Sequence, residues 1–212
     1  MLTSNHSGGY RRAVSFFEPL PPEPPEPTAV EREWAPPLWD RPSEGTLGAV
    51  MPVGLILGRS DDTVFALDHI RAFPNGFTLG IAILQNPRSQ NEEQPMFFHR
   101  PGRWPRLGIE FSDGRRAGHE APGQFPGFLH ARSEMEKDEE GIPTKGIVLV
   151  HAGGGGGATG GFHFNIWVFP LPSPGELKVH GAWPALGMPE ASVVLNADDI
   201  RNAAARAHIL WE

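Results

Sequence analysis

A chain of 212 residues with a net charge of -7 is long enough for one packed domain plus an extension, and its sign opposes nonspecific binding to nucleic acid or to an anionic membrane. The lack of cysteine removes disulfides, thiolate metal sites and cysteine nucleophiles. No apolar stretch reaches the length of a signal-peptide core or a membrane span, so a soluble, cytoplasmic protein is expected.

The first 45 residues read as an arm or linker. From Phe17 to Pro42 the text is FEPLPPEPPEPTAVEREWAPPLWDRP, where repeated proline removes backbone donors and favours extended chain. Trp34 and Trp39 are candidates for anchoring this arm on the domain or on a neighbouring subunit, because large aromatics are costly to leave in water.

From residue 46 onward the pattern changes to short apolar runs separated by turn signals. Ala49 to Leu57 is a first strand. Thr63 to Phe73 and Phe77 to Gln85 flank Pro74-Asn75-Gly76, a hairpin signal, and Phe77, Leu79, Ile81 and Ile83 alternate with smaller residues to give one apolar face. Asn86 to Pro95 reads as a loop and Met96 to His99 as a short strand. Leu107 to Phe111 and Arg115 to His119 form a second hairpin around Ser112-Asp113-Gly114. Ala121 to Thr144 reads as a long connection with a mobile tip, and its acidic run from Glu134 to Glu140 lacks the spacing of a calcium loop.

Lys145 to Ala152, Phe162 to Leu171, Glu176 to Trp183 and Ala191 to Leu195 complete the strands. A C-terminal helix is expected over about 197–211, capped by Asn196 or Asp198, with Ile200, Ala203, Ala204, Ala207 and Trp211 on one face. Short strands joined by hairpins, with one helix at the end, predict a mainly β antiparallel sandwich rather than alternating βαβ units.

The segment HAGGGGGATGGFH, His151 to His163, contains G-x-G-x-x-G at Gly155, Gly157 and Gly160. A dinucleotide site needs a helix after the glycines, so that amides and dipole meet the pyrophosphate. Here Phe162, Phe164, Ile166 and Val168 alternate instead, which predicts a strand and makes the glycines a hairpin tip. If that hairpin is symmetric about Gly157, His151 and His163 face each other and could bind a metal or shuttle a proton, with His180 or His119-Glu120 completing the set. A second cluster, Arg100, Arg103, Trp104, Arg106, Arg115 and Arg116, suits the clamping of an acidic partner, for which Glu23 and Glu26 of the arm are candidates. Neither G-x-S-x-G nor H-E-x-x-H is found, and no cofactor is implied.

The text HGAWPALGMPEASVVLNADDIRNAAARAHILW, with DDTVFALDHIRAFPNGFTLGIAI and EWAPPLWDRP, resembles an uncharacterised group of proteins from high-GC bacterial genomes. The shared features are a W-P-x-x-G-x-x-E turn, here Trp183, Pro184, Gly187 and Glu190, and an alanine-rich helix ending at Leu210 and Trp211. The excess of arginine over lysine, 15 to 3, agrees with such a genome. The resemblance covers most of Trp34 to Glu212 and implies a shared fold without a particular activity. The expectation is a non-catalytic binding or assembly module with a protein partner or self-association as a homo-oligomer. The alternatives are a metal-dependent or hydrolytic enzyme using His151 and His163, and a sandwich that binds a ligand or carbohydrate on exposed tryptophans.

Overall fold

The computed structural model describes residues 37, 39–88, 104–119, 146–156 and 161–211. The chain divides into two units, Met1–Ala35 and Pro36–Glu212, and all of these residues belong to the second. The expected strand at Met96 to His99, the connection at Ala121 to Thr144 with its acidic run, and the tip of the glycine segment lie outside the described residues.

The fold is mainly β. Its strands are β1 (Thr46–Leu47), β2 (Ala49–Arg59), β3 (Thr63–Phe73), β4 (Gly76–Gln85), β5 (Arg106–Phe111), β6 (Arg116–His119), β7 (Val148–Gly156), β8 (Gly161–Phe169), β9 (Glu176–Trp183), β10 (Met188–Asn196) and β11 (His208–Ile209). They form a five-stranded sheet in the order β2-β3-β4-β8-β7, a four-stranded sheet in the order β10-β9-β5-β6, and the small pair β1-β11. Every pairing is antiparallel.

Alternation along the strands builds the core between the two sheets. Phe77, Leu79, Ile81 and Ile83 of β4 pair across one face with Ala72, Ile70, Leu67 and Phe65 of β3, and all eight are buried. The two strands keep this match only because the register shifts between Leu67 and His69, where the extra residue Asp68 restores the phase of β3. Leu107, Ile109 and Phe111 of β5 and Leu177, Val179 and Trp183 of β9 supply the opposite wall. There the Trp183 ring meets Phe65 edge-on at 6.2 Å.

The W-P-x-x-G-x-x-E segment is a structural turn. Pro184–Leu186 forms one 3-10 turn after Trp183, and Gly187 closes it in the left-handed region at φ 69°, donating its N–H to the Pro184 carbonyl at 3.0 Å.

Three expectations shift. The β3–β4 hairpin turns on Pro74-Asn75, since Phe73 pairs with Gly76. Proline presets the φ that a first turn position wants, which leaves Gly76 to begin β4. A side chain there would meet the Trp167 ring at 2.6 Å, so the glycine serves close packing. The C-terminal helix, α1 (Ala197–Ala204), is half the expected length and covers β2, β3 and β4 with Ala197, Ile200, Ala203 and Ala204. Asn196 caps it by accepting from the Asp198 N–H at 3.0 Å. Its end tightens into i→i+3 bonds from Arg206 and Ala207, and the chain then leaves as β11 to pair with β1. The alanines beyond Ala204 have no further core to cover, so Trp211 sits 73% exposed instead of on a helical stripe. Finally, residues 39–45, assigned to the arm by composition, pack on the sheets. Trp39 is buried, its carbonyl accepts from Trp167 Nε1 at 2.9 Å, and Asn75 holds the same segment through Arg41 O and Ser43 N.

Candidate functional site

Among the described residues a concavity lies on the outward face of the four-stranded sheet. Strand alternation that sends Leu107, Ile109 and Phe111 into the core turns Arg106, Gly108 and Glu110 outward. Register then sets Gly118 beside Gly108 and Arg116 beside Glu110 from β6, with Ala182, His180 and Lys178 on the other side from β9. Glu190 of β10 completes the lining. The result is an open hollow of about 320 Å³, floored by two glycines and walled by charged side chains.

Its electrostatics centre on Glu110, whose carboxylate lies 3.0 Å from Arg116 Nε, 3.4 Å from Lys178 Nζ and 3.8 Å from His180 Nε2. Partial desolvation works to raise its pKa, but the pull of Arg116, Lys178 and His180 prevails and holds the carboxyl below its ordinary range. Glu110 is therefore an ionised clasp for its neighbours. The second nitrogen of His180, Nδ1, stands 3.8 Å from Glu190, so the imidazole bridges two carboxylates. Arg106 at the other end is exposed and makes no ion pair among the described residues. In the lining Arg106 and Arg116 match Glu110 and Glu190 in number, and Lys178 stands beside Glu110, on a chain whose net charge is -7.

Gly108 gives the hollow its meaning. Its φ lies outside the left-handed region, and a Cβ added there would find its nearest neighbour, His180 Cβ, at 3.5 Å, an ordinary contact. Neither backbone strain nor packing asks for glycine. Because glycine inside a strand weakens it, a strand glycine that neither strain nor packing requires is a candidate point for close approach to the backbone from outside.

The arginine-tryptophan cluster read from the sequence is dispersed by the fold. Arg106 and Arg116 share the hollow. Arg115 turns away to the β5–β6 turn, where it binds Asp113 at 2.7 Å and stacks over Phe111 at 5.0 Å. Its hydrogen bonds and that of Ser173 hold the Asp113 carboxyl well below its usual range. Trp104 is buried, edge-on to Phe162 at 6.4 Å, and so belongs to the interior instead of a partner surface. Trp39 is likewise buried. Trp34, Arg100 and Arg103 lie outside the described residues.

The histidine pair is separated. The register between β7 and β8 shifts between His151 and Gly154, so His151 lies opposite Ile166 while His163 lies opposite Gly155. The hairpin is thus centred two residues beyond Gly157, and Gly153 to Gly156 are strand, not tip. His151 accordingly shares the core face, stacked on Phe164 at 6.2 Å, and burial lowers its pKa. His163 pairs with Ala82 on the outward face and is exposed. Of the residues proposed to complete a metal set, His180 belongs to the other sheet and Glu120 lies outside the described residues. Among the described residues no three His, Asp or Glu side chains gather in a way that could hold a metal ion.

Sequence reasoning assigned none of Gly108, Glu110, Gly118, Lys178 and Glu190 to a site. The available signal was the glycine at an outward position in the middle of the alternating run Arg106-Leu-Gly-Ile-Glu-Phe111. No family model, curated protein or solved structure matches the chain, and no helix among the described residues is long and apolar enough to cross a membrane.

Proposed function

We propose that this chain is a non-catalytic binding module and that its recognition surface is the glycine-floored hollow on the outward face of the four-stranded sheet. The observation that carries the reading is Gly108, a strand glycine that the fold itself does not require, at the bottom of a concavity where charged groups from four strands converge. The chemistry favours binding over turnover. General acid catalysis by a carboxyl wants a raised pKa, whereas Glu110 is lowered and tied to Arg116 and Lys178. The lining also offers no hydroxyl or thiol nucleophile.

The test is a fragment screen followed residue by residue with amide NMR on the full chain. Small polar fragments are expected to shift amides of β5, β6 and β9 as one cluster. Shifts gathered around His151 and Phe164, or scattered without a cluster, would remove the hollow as the recognition surface.

A further inference from the structure

Resting on the reading of the hollow as a recognition surface, we infer that its partner is an extended protein segment carrying acidic side chains. Three features point to this chemistry. Arg106 and Arg116 flank the Gly108-Gly118 floor along the strand direction, and guanidinium groups present planar forks that match carboxylates in a bidentate way. Arg106 lacks an ion-pair partner among the described residues, so an incoming carboxylate meets a guanidinium that no other acid competes for. The floor has no side chains at Gly108 and Gly118, which lets a flat, extended backbone come close to the sheet.

The same lining disfavours other classes of occupant. A nucleic acid brings an unbroken row of charges that must pass Glu110 and Glu190, whereas a peptide can place its carboxylates at Arg106 and Arg116 alone. Saccharide and base recognition lean on aromatic platforms, and the lining contains none beyond the His180 imidazole. A peptide suits the mixture: its carboxylates pair with Arg106 and with the outer nitrogens of Arg116, while its amides are neutral toward Glu190.

The experiment titrates the full chain at low salt with a short acetylated peptide alternating Glu and Ala, its Gln counterpart, and oligouridylate, read by amide NMR. The Glu peptide is expected to shift β5, β6 and β9, and the Gln peptide to bind far more weakly. Arg106→Ala and Arg116→Ala should each weaken binding by about threefold to fivefold, as exposed charge pairs do. Gly108→Val should abolish it by filling the floor, while Arg106→Glu should reverse the preference toward a Lys peptide without touching the floor. If the Gln peptide binds equally well at the hollow, the acidic class is overturned and the recognition surface stands. No binding of the Glu peptide at about 1 mM, or tighter binding of oligouridylate, also overturns the class. Shifts that avoid β5, β6 and β9 altogether sink both readings.

Discussion

On the outward face of the five-stranded sheet, the small residues of β4 are covered by their neighbours. A side chain at Gly76 would strike the Trp167 ring, and one at Gly80 would overlap the ring of His69. Trp167, Phe73 and Trp39 close over that end of the face, and Thr78 and Ala82 are buried although they point away from the core. On the outward face of the four-stranded sheet, a Cβ at Gly108 would meet nothing closer than His180 Cβ at 3.5 Å, and charged side chains stand around it. Both faces carry glycine at alternate outward positions of a strand, and the same residue type performs opposite tasks. Glycine under a bulky neighbour is packing, whereas a glycine with room for a Cβ leaves its backbone open to approach.

The comparison breaks most forcefully at its covered side. Trp39→Ala should cost about 3 kcal/mol or more, the range for a large aromatic removed from a packed site, because it opens the cover over Trp167. Urea unfolding measures it, and a loss below about 1 kcal/mol would mean that this segment rests on the sheet without being part of its packing. Next in size is Gly76→Ala. Its added methyl meets backbone and an immobile indole, so about 1–3 kcal/mol of overpacking is expected.

Much of this architecture was legible because large apolar residues alternating with small or polar ones are a strong strand signal. Thr63 to Phe73, Phe77 to Gln85 and Glu176 to Trp183 all show it, and the strands are found there. Legibility failed where tertiary context set the outcome. The alanine-rich tail reads as helix to Trp211 on local propensity, yet only the stretch as far as Ala204 has sheet to cover. The histidine pairing failed for a different reason. Five consecutive glycines carry no pattern to fix register, and a single shift between His151 and Gly154 is enough to send the two imidazoles to opposite faces. The hollow itself was half visible. Arg106 and Arg116 stand out as charge, but Gly108, Glu110 and Lys178 gain their roles from strands far apart in sequence, Glu110 and Lys178 being 68 residues apart, that only the sheet brings together.

A smaller effect separates the hollow's wall from the turn that supports it. Asp113 receives hydrogen bonds from Arg115 and Ser173 and so ties the β5–β6 turn to the chain before β9. Its pKa in the fold lies below the ordinary value of 3.8, so the contribution is complete above that pH and is lost as pH falls toward the folded value. Because the pair is about one-third exposed, solvent screening keeps the effect below about 1 kcal/mol. Asp113→Asn should therefore lower stability slightly at pH 7, and the gap to the parent should narrow steadily as pH falls below 3.8. A gap between the two proteins that stays equal across that range would show that the carboxylate charge contributes nothing.

The smallest expected effect is the most discriminating, because its sign differs from that of Gly76→Ala. At Gly108 the backbone is compatible with any L-residue and the nearest atom to an added Cβ is an ordinary contact away. Gly108→Ala should thus remove unfolded-state entropy without strain and raise stability by about 0.5 kcal/mol, roughly 1–2 °C in Tm for a chain of this size. A stabilised Ala variant means that the parent residue sacrifices stability at a position where only an external ligand benefits. A loss of more than about 1 kcal/mol would instead place Gly108 beside Gly76 as a packing residue, and the contrast between the two faces would vanish.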